Sequence, residues 1–344
     1  PLCRLNYNVK RRAWRSSSKI LSSRDRPRQG GQRCYRAQEA RAKVTNKSYQ
    51  NAGQRYRPTP KERLDLISGL HFLLTYRCTR ECPHCFVWGS PKAQGEFTLP
   101  QLVTYLEAAR RAGITRVAFE GGEPFLLYEL LKDAVRTAHR LEFAVTVVTN
   151  GFWATTPERA AAVISELRAA GLDSLMISSD AYHGGPAEAA GAARAYRAAQ
   201  ESGLSSFLAV TTLEKVMFRG RAAARLVSQV AETAPWASFT RCPHENLAAP
   251  SRLHVDPWGH VMICQGIVVG QVKSRPLEEI LRDYSPAQNR IVSWLLAGGP
   301  AALARAAGIT EGRYADACHL CYTARRRLRV RYPGELAPAR LYGE

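Results

Sequence analysis

The sequence lacks the features that mark membrane and secreted proteins. Its 344 residues contain no uninterrupted apolar run near the roughly 18 residues that cross a bilayer. The N-terminus also lacks the apolar segment of a signal peptide. We therefore expect a cytoplasmic protein that has no membrane partner.

Acidic residues are scarce in the first part of the chain. Residues 1–63 contain 18 Lys and Arg but three acidic residues, a net charge of +15, which leaves +5 for residues 64–344. Because this segment has little apolar periodicity, it is predicted to be a disordered basic arm. The interleaved Trp14 and Tyr35 leave open a second interpretation, in which the arm stacks on the bases of a nucleic acid. Cys3 and Cys34 also lie in this arm and have no evident role.

From residue 64 to residue 240, short β-like runs alternate with longer helical stretches. This alternation requires right-handed crossovers, and hence a parallel sheet that is covered by helices. Six such units predict an α/β fold, a partial (β/α)6 TIM-type barrel. The predicted strands are 70–76, 116–120, 144–149, 174–178, 206–211 and 237–240, and the predicted helices are 99–112, 126–141, 157–170, 186–202 and 220–233.

Seven of the nine cysteines occur in groups rather than at scattered positions. Cys78, Cys82 and Cys85 lie within eight residues, directly after the first predicted strand. Structural zinc sites close with four protein ligands, whereas one iron of a [4Fe-4S] cluster held by three cysteines can accept a small molecule as its fourth ligand. The triad therefore predicts a catalytic iron–sulfur cluster, with half of a zinc site as the alternative.

Polar and glycine residues follow the other predicted strands. They are Gly121, Gly122, Glu123 and Pro124 after the second strand, Asn150 after the third, and Ser178 with Asp180 after the fourth. In parallel α/β sheets, ligands bind at the carboxyl ends of the strands. We therefore expect these residues to surround one site, although turns and helix caps account for the same residue types.

The C-x3-C-x2-C triad, followed one βα unit later by Gly-Gly-Glu-Pro, resembles the radical S-adenosylmethionine (SAM) superfamily over residues 68–240. The resemblance implies that the open iron binds the amino and carboxylate groups of SAM. It also implies SAM contacts for the Gly121–Pro124 segment, for Asn150, and for Ser178 and Asp180 near the ribose and carboxylate. His84 takes the position whose backbone contacts adenine.

The chemistry that the resemblance implies is reductive cleavage of SAM to methionine and a 5′-deoxyadenosyl radical, which abstracts hydrogen from a substrate. Such chemistry requires a low-potential electron donor of the flavodoxin or ferredoxin type and makes the enzyme oxygen-sensitive. Asp180, Tyr182 and His183 follow the fourth strand and are candidate catalytic residues that face the substrate. A plain turn is the alternative for this segment.

Beyond residue 241 the alternation stops, and a smaller α+β domain is predicted over residues 241–344. Residues 252–255 and 260–264 form a predicted hairpin around Asp256-Pro257-Trp258-Gly259. Cys242, Cys264, Cys318 and Cys321 resemble the ligands of the auxiliary [4Fe-4S] clusters in SPASM and twitch domains. Because no cysteine follows Cys321, one auxiliary cluster is expected. The alternatives are a zinc knuckle for the last pair, and for Cys242 a buried thiol or a hydrogen-atom donor.

Three functions remain open at this level. The first is a radical SAM enzyme that acts on a peptide or a small metabolite. The second is an RNA-modifying radical SAM enzyme that uses the basic arm as a tether, and the third is a non-catalytic iron–sulfur or zinc scaffold. The basic run from Arg325 to Arg331 is expected to form a solvated face near a helix C-terminus.

Overall fold

The computed structural model describes residues 67–344. The arm, with Cys3, Trp14, Cys34 and Tyr35, lies outside the described residues, and what was expected of it remains a prediction. Among the described residues, no helix has the length and apolar character needed to cross a membrane.

The first part of the described chain is a parallel sheet whose strands alternate with helices. The strands are β1 (Gly69–Thr75), β2 (Arg116–Gly121), β3 (Ala144–Thr149), β4 (Ser174–Ser178) and β5 (Ser205–Ala209). The helices are α1 (Leu99–Arg111), α2 (Tyr128–Arg140), α3 (Pro157–Ala169) and α4 (Pro186–Glu201). Neighbouring strands pair in parallel from β1 through to β5. The α/β prediction is therefore confirmed.

The helix boundaries follow from local sequence signals. Thr98 caps α1 in a capping box with Gln101, and Pro100 stands in the first turn. Gly113, Gly171 and Gly203 follow α1, α3 and α4 with positive φ, the conformation in which glycine commonly ends a helix. These signals lie within a few residues of each boundary, which is why the sequence predicts them.

The sixth predicted strand is wrong. Residues 237–240 do not join the sheet; Trp236–Ser238 form a short 3-10 helix after the two-residue strand β6 (Ala234–Pro235). The predicted helix at 220–233 is also reduced, to the five-residue helix α5 (Arg221–Arg225) and a 3-10 turn at Val227–Gln229.

The C-terminal part continues the same sheet. Strand β7 (Arg252–Val255) pairs in parallel with β1, and the antiparallel strands β8 (His260–Cys264) and β9 (Ile267–Gln271) follow it. The strand order is β5-β4-β3-β2-β1-β7-β8-β9. The predicted hairpin is confirmed, and Gly259 in its turn has φ +88°.

Three helices and a short strand complete the C-terminal part. They are α6 (Leu277–Arg282), α7 (Arg290–Ala306), β10 (Arg313–Tyr314) and α8 (Ala317–Leu328). Helix α7 is kinked at Gly298 and Gly299, and β10 pairs with β6. Asp316 caps α8 by accepting a hydrogen bond from the amide of His319.

The two faces of the parallel sheet are covered unequally. On β3, Val145 and Val147 are fully buried, whereas Thr146 and Val148 between them are half-buried. Strand β4 repeats this pattern, and Phe207 on β5 is 55% exposed. Parallel strands are usually buried on both faces. Helices cover one face here, and the other face is left partly open at the level of the predicted site.

Candidate active site

The cysteine triad lies in the loop that follows β1 and is held by backbone contacts. The amide of Cys78 donates to the carbonyl oxygen of Ser90 at 3.0 Å, and the amide of Gly89 donates to Sγ of Cys85 at 3.3 Å. Cys78 and Cys82 are each 8% exposed. All seven cysteines in the described part of the chain are free thiols, so each can act as a metal ligand.

The environment of these thiols favours ligation of a positively charged group. Burial raises the pKa of Cys78 to about 11 and that of Cys82 to about 12. The thiolate forms are therefore disfavoured unless a cation compensates their charge. The triad thus fits a metal centre, which supplies that charge.

The spacing of the sulfur atoms bears on the triad in one respect. Over residues 67–344, no three cysteine sulfurs lie within 4.8 Å of one another. The three sulfurs of the triad are therefore not gathered around a single position.

The end of β2 packs directly against the cysteine loop. The amide of Gly122 donates to the carbonyl oxygen of Thr75 at 2.6 Å. A Cβ atom at Gly121 would collide with the Thr75 oxygen, and one at Gly122 would collide with the Arg77 oxygen. Both glycines are therefore required by close backbone approach within the protein itself.

Glu123 points into the protein rather than towards solvent. Its fully buried carboxylate accepts hydrogen bonds from the Thr149 hydroxyl at 2.8 Å, the Asn150 amide at 2.7 Å and the Phe125 amide at 3.2 Å. Burial nevertheless raises its pKa to about 7. Pro124 begins the following 3-10 helix. Glu123 thus joins the end of β2 to the end of β3.

Asn150 reaches the cysteine loop from the end of β3. Its Nδ2 donates to Oγ1 of Thr79 at 3.1 Å and approaches Sγ of Cys78 at 3.8 Å. The ends of β1, β2 and β3 are therefore brought together as the sequence predicts. Ser178 lies half-buried at the end of β4.

The loop after β4 packs against His84. The carboxylate of Asp180 accepts hydrogen bonds from Nδ1 of His183 at 2.8 Å and from the amide of Tyr182 at 3.0 Å. The rings of Tyr182 and His183 lie 5.1 Å and 4.6 Å from the ring of His84. Burial, and then the charge of His183, lower the pKa of His84 to about 4, so its imidazole is neutral near pH 7. The three candidate catalytic residues thus border the cysteine loop.

Arg221 was missed by sequence analysis. Its guanidinium, on a residue only 5% exposed, donates to the carbonyl oxygens of Cys82 and Gly89, each at 2.9 Å. The preceding Gly220 has φ +60°, and a Cβ there would lie 2.5 Å from Cα of Phe86. Because Arg221 and Cys82 are 139 positions apart, no local pattern signals this contact.

A second group of thiols lines one cavity in the C-terminal part. Its cysteines are Cys242, Cys264, Cys318 and Cys321. Cys318 and Cys321 share one face of the first turn of α8, where the helix dipole favours anionic ligands. Burial raises the pKa of Cys321 to about 12 and also raises the pKa of Cys242 and Cys318. The four residues are therefore together in space.

Two buried arginines flank this cavity. Arg219 is 6% exposed and donates to Sγ of Cys264 at 2.7 Å. Arg325 is 1% exposed, lies 5.7 Å and 5.6 Å from the ring centroids of Tyr322 and Tyr342, and donates to the carbonyl oxygen of Gln265. The expectation of a fully solvated basic run is therefore wrong for Arg325, because it faces the packed side of α8.

The family comparison covers the parallel sheet. The family model described as "Radical SAM superfamily" matches residues 72–212. The Bacillus subtilis (strain 168) protein called "Putative peptide biosynthesis protein YydG" is 32% identical over 114 residues, which is 32% of this chain. That match spans 35% of the relative's length.

Solved structures with a similar fold include BtrN in complex with AdoMet and 2-DOIA, at a TM-score of 0.49 and 16% identity over 74% of this chain and 92% of that one. Streptococcus suis SuiB bound to S-adenosylmethionine is similar at a TM-score of 0.35 and 10% identity, over 63% of this chain and 65% of SuiB.

The matched segment contains the cysteine triad, the glycine pair and Asn150, which the structure brings to one edge of the sheet. Residues 72–212 of this chain are therefore similar to the radical SAM superfamily.

Proposed function

We propose that this chain is a radical SAM enzyme, that Cys78, Cys82 and Cys85 ligate its SAM-binding [4Fe-4S] cluster, and that its substrate is a peptide. One observation supports the assignment of the ligands above others. Asn150 from β3 and the glycine pair from β2 both contact the triad loop, so three strand ends meet at these thiols. When bound, the cluster and SAM supply reductive cleavage to a 5′-deoxyadenosyl radical.

The residues around the triad have separable roles in this proposal. Gly121 and Gly122 keep β2 close to the cysteine loop. Carbonyl oxygens there can accept hydrogen bonds from the amino group of SAM. Glu123 positions Asn150 through the 2.7 Å hydrogen bond to its amide. Neutral His84 packs with Tyr182 and His183, which Asp180 holds in place, and Ser178 lies beside them at the end of β4. This side of the loop is where we expect the nucleoside of SAM.

Two features favour a peptide over a small metabolite. The name of the B. subtilis relative refers to peptide biosynthesis. In addition, β5 is the terminal strand of the described sheet, and Phe207 on its open face is 55% exposed. An extended peptide can pair with such an edge strand and place side chains on the open face.

We also propose that the second group of thiols holds one auxiliary [4Fe-4S] cluster, with Cys242 as one of its four ligands. An oxidised cluster with four thiolates carries a net charge of about −2. Buried Arg219 and Arg325 face the same cavity and supply two positive charges.

The formation of 5′-deoxyadenosine tests the first cluster. The anaerobically reconstituted enzyme is incubated with SAM and dithionite, and the product is measured by liquid chromatography with mass spectrometry. We expect product from the wild type and none from Cys82→Ala. No product from protein that retains its cluster would contradict the assignment and favour a scaffold.

Iron analysis tests the second cluster. We expect about eight iron atoms per chain in the wild type and about four in Cys318→Ala. Zinc at this site in protein produced with iron available would contradict the proposal. Cys242→Ser distinguishes the two roles of that thiol, since a ligand variant loses auxiliary iron whereas a hydrogen-donor variant keeps it.

The substrate class is tested by co-expression with a short peptide encoded beside the gene for this chain. A change in the peptide that is absent with Cys82→Ala supports the proposal. Turnover that RNA alone stimulates, and that depends on residues 1–60, would contradict it in favour of RNA modification.

A further inference from the structure

The sheet carries a polar group of side chains that the iron–sulfur cluster and SAM assignments do not use. It consists of His71 on β1, Glu120 on β2 and His254 on β7, which are three neighbouring strands. His71 and His254 are directly paired in register, and Glu120 pairs with Leu73, two residues further along β1. The side chains therefore converge from one rigid surface.

The side chains of this cluster are close enough either to pair electrostatically or to share one metal ion. Nδ1 of His71 lies 3.3 Å from Oε2 of Glu120, and Nε2 of His254 lies 3.6 Å from Oε1 of Glu120. Ligand atoms from all three residues lie within 4.8 Å of one another. Donors bound to one metal ion at about 2.0–2.1 Å are about 3.0–3.4 Å apart, depending on the geometry. The observed separations are close to that range.

Two atoms of the cluster are buried without hydrogen-bond partners. They are Oε1 of Glu120 and Nδ1 of His254, and His254 is only 2% exposed. A buried polar atom without a partner costs about 1–3 kcal/mol, and so it requires an explanation. The amide of Gln265 lies 3.0 Å from Nε2 of His254, and its own Oε1 also has no partner. A bound cation would satisfy the atoms that face one another.

We propose that His71, Glu120 and His254 form a binding site for a divalent transition-metal ion of the Zn²⁺ class. Two imidazoles and one carboxylate are donors that such ions accept, whereas Mg²⁺ and Ca²⁺ prefer sets made of oxygen. Three protein ligands leave at least one coordination position open. His71, whose side chain is 25% exposed, is the part of the site that solvent reaches most easily.

Zinc binding by the cluster-loaded enzyme tests this proposal. Zn²⁺ is added to anaerobically reconstituted protein, the sample is dialysed, and zinc is measured by mass spectrometry and by X-ray absorption at the zinc edge. We expect one zinc per chain with a nitrogen and oxygen shell at about 2.0–2.1 Å and no sulfur shell near about 2.3 Å. Absence of bound zinc, or a shell made of sulfur, overturns the proposal.

Substitutions locate the ion. Glu120→Gln and His71→Gln should each weaken zinc binding at least tenfold. His260→Gln is the matched control, because His260 lies outside the cluster and also pairs with a carboxylate, that of Asp256, at 2.9 Å. The zinc affinity of the His260→Gln variant should equal that of the wild type. Iron content and circular dichroism report folding. The side chain of His71 is 25% exposed, so His71→Gln decides the outcome if Glu120→Gln fails to fold. Unchanged affinity in a folded variant overturns the proposal.

Discussion

Replacement of Arg221 by alanine is expected to release the cysteine loop. The guanidinium donates two hydrogen bonds of 2.9 Å, to the carbonyl oxygens of Cys82 and Gly89. A hydrogen bond to a charged group contributes about 1.5–3 kcal/mol, so the pair contributes about 3–6 kcal/mol. The Cys82 oxygen keeps a second donor, the Cys85 amide at 3.1 Å. We therefore expect a loss near the lower end of that range.

A loss of about 3 kcal/mol corresponds to a melting temperature lower by roughly 6–12 °C for a domain of this size. If the free-energy loss affects the cysteine loop alone, the affinity of the loop for the metal centre falls by about 100-fold instead. Arg221→Lys keeps the charge but not the paired geometry of the guanidinium, and should fall between alanine and the wild type. Either outcome shows that the arginine holds the loop.

The measurement uses the Cys318→Ala background, so that iron reports the first cluster alone. Iron is counted after gel filtration with a chelator, and thermal unfolding of the cluster-free protein is followed by circular dichroism. Arg225→Ala is the matched control, because Arg225 lies on the same helix and is exposed. If Arg221→Ala keeps both its iron and its melting temperature, the loop does not depend on this arginine.

Three further perturbations follow from the same contacts. Thr149→Val removes the hydroxyl that donates a hydrogen bond to Glu123 and accepts one from the Trp153 indole. The free energy of unfolding, measured by denaturant titration, should fall by about 1–3 kcal/mol, and an unchanged value refutes this. The pKa of Glu123 rises on folding from 4.5 to about 7, so stability falls as pH rises through that window. Glu123→Gln should remove this slope in cluster-free protein, and a retained slope counts against it. Arg219→Met removes the donor to Cys264 and should make the potential of the auxiliary cluster more negative by roughly tens of millivolts; an unchanged potential in an EPR titration argues otherwise.

The parts of the fold that the sequence predicts are those that depend on residues close together in the chain. Strands β3 and β4 have the predicted boundaries, because each is a short β-rich run that follows a helix and its terminal turn. The cysteine triad is equally local, since its spacing lies within eight residues. These features need no knowledge of distant partners.

The contacts that sequence analysis missed join positions far apart in the chain. Arg221 contacts the cysteine loop from 139 residues away, and its charge alone predicts an exposed position. The pairing of β7 with β1 was also not predicted, because strand order depends on the whole sheet. The orientation of Glu123 towards Thr149 and Asn150 likewise follows only from the neighbouring strand.

The parallel pairing of β7 with β1 has a consequence for truncated forms of the enzyme. Residues Gly69–Phe72 pair with Arg252–Val255, so deletion of the C-terminal part would leave the strand that leads into the cysteine loop as an unprotected edge. Bare edges of this kind recruit other chains and promote aggregation. The proposed SAM site and the C-terminal thiols are thus carried by one hydrogen-bonded scaffold, and a shortened fragment is expected to be insoluble even where its own ligands are intact.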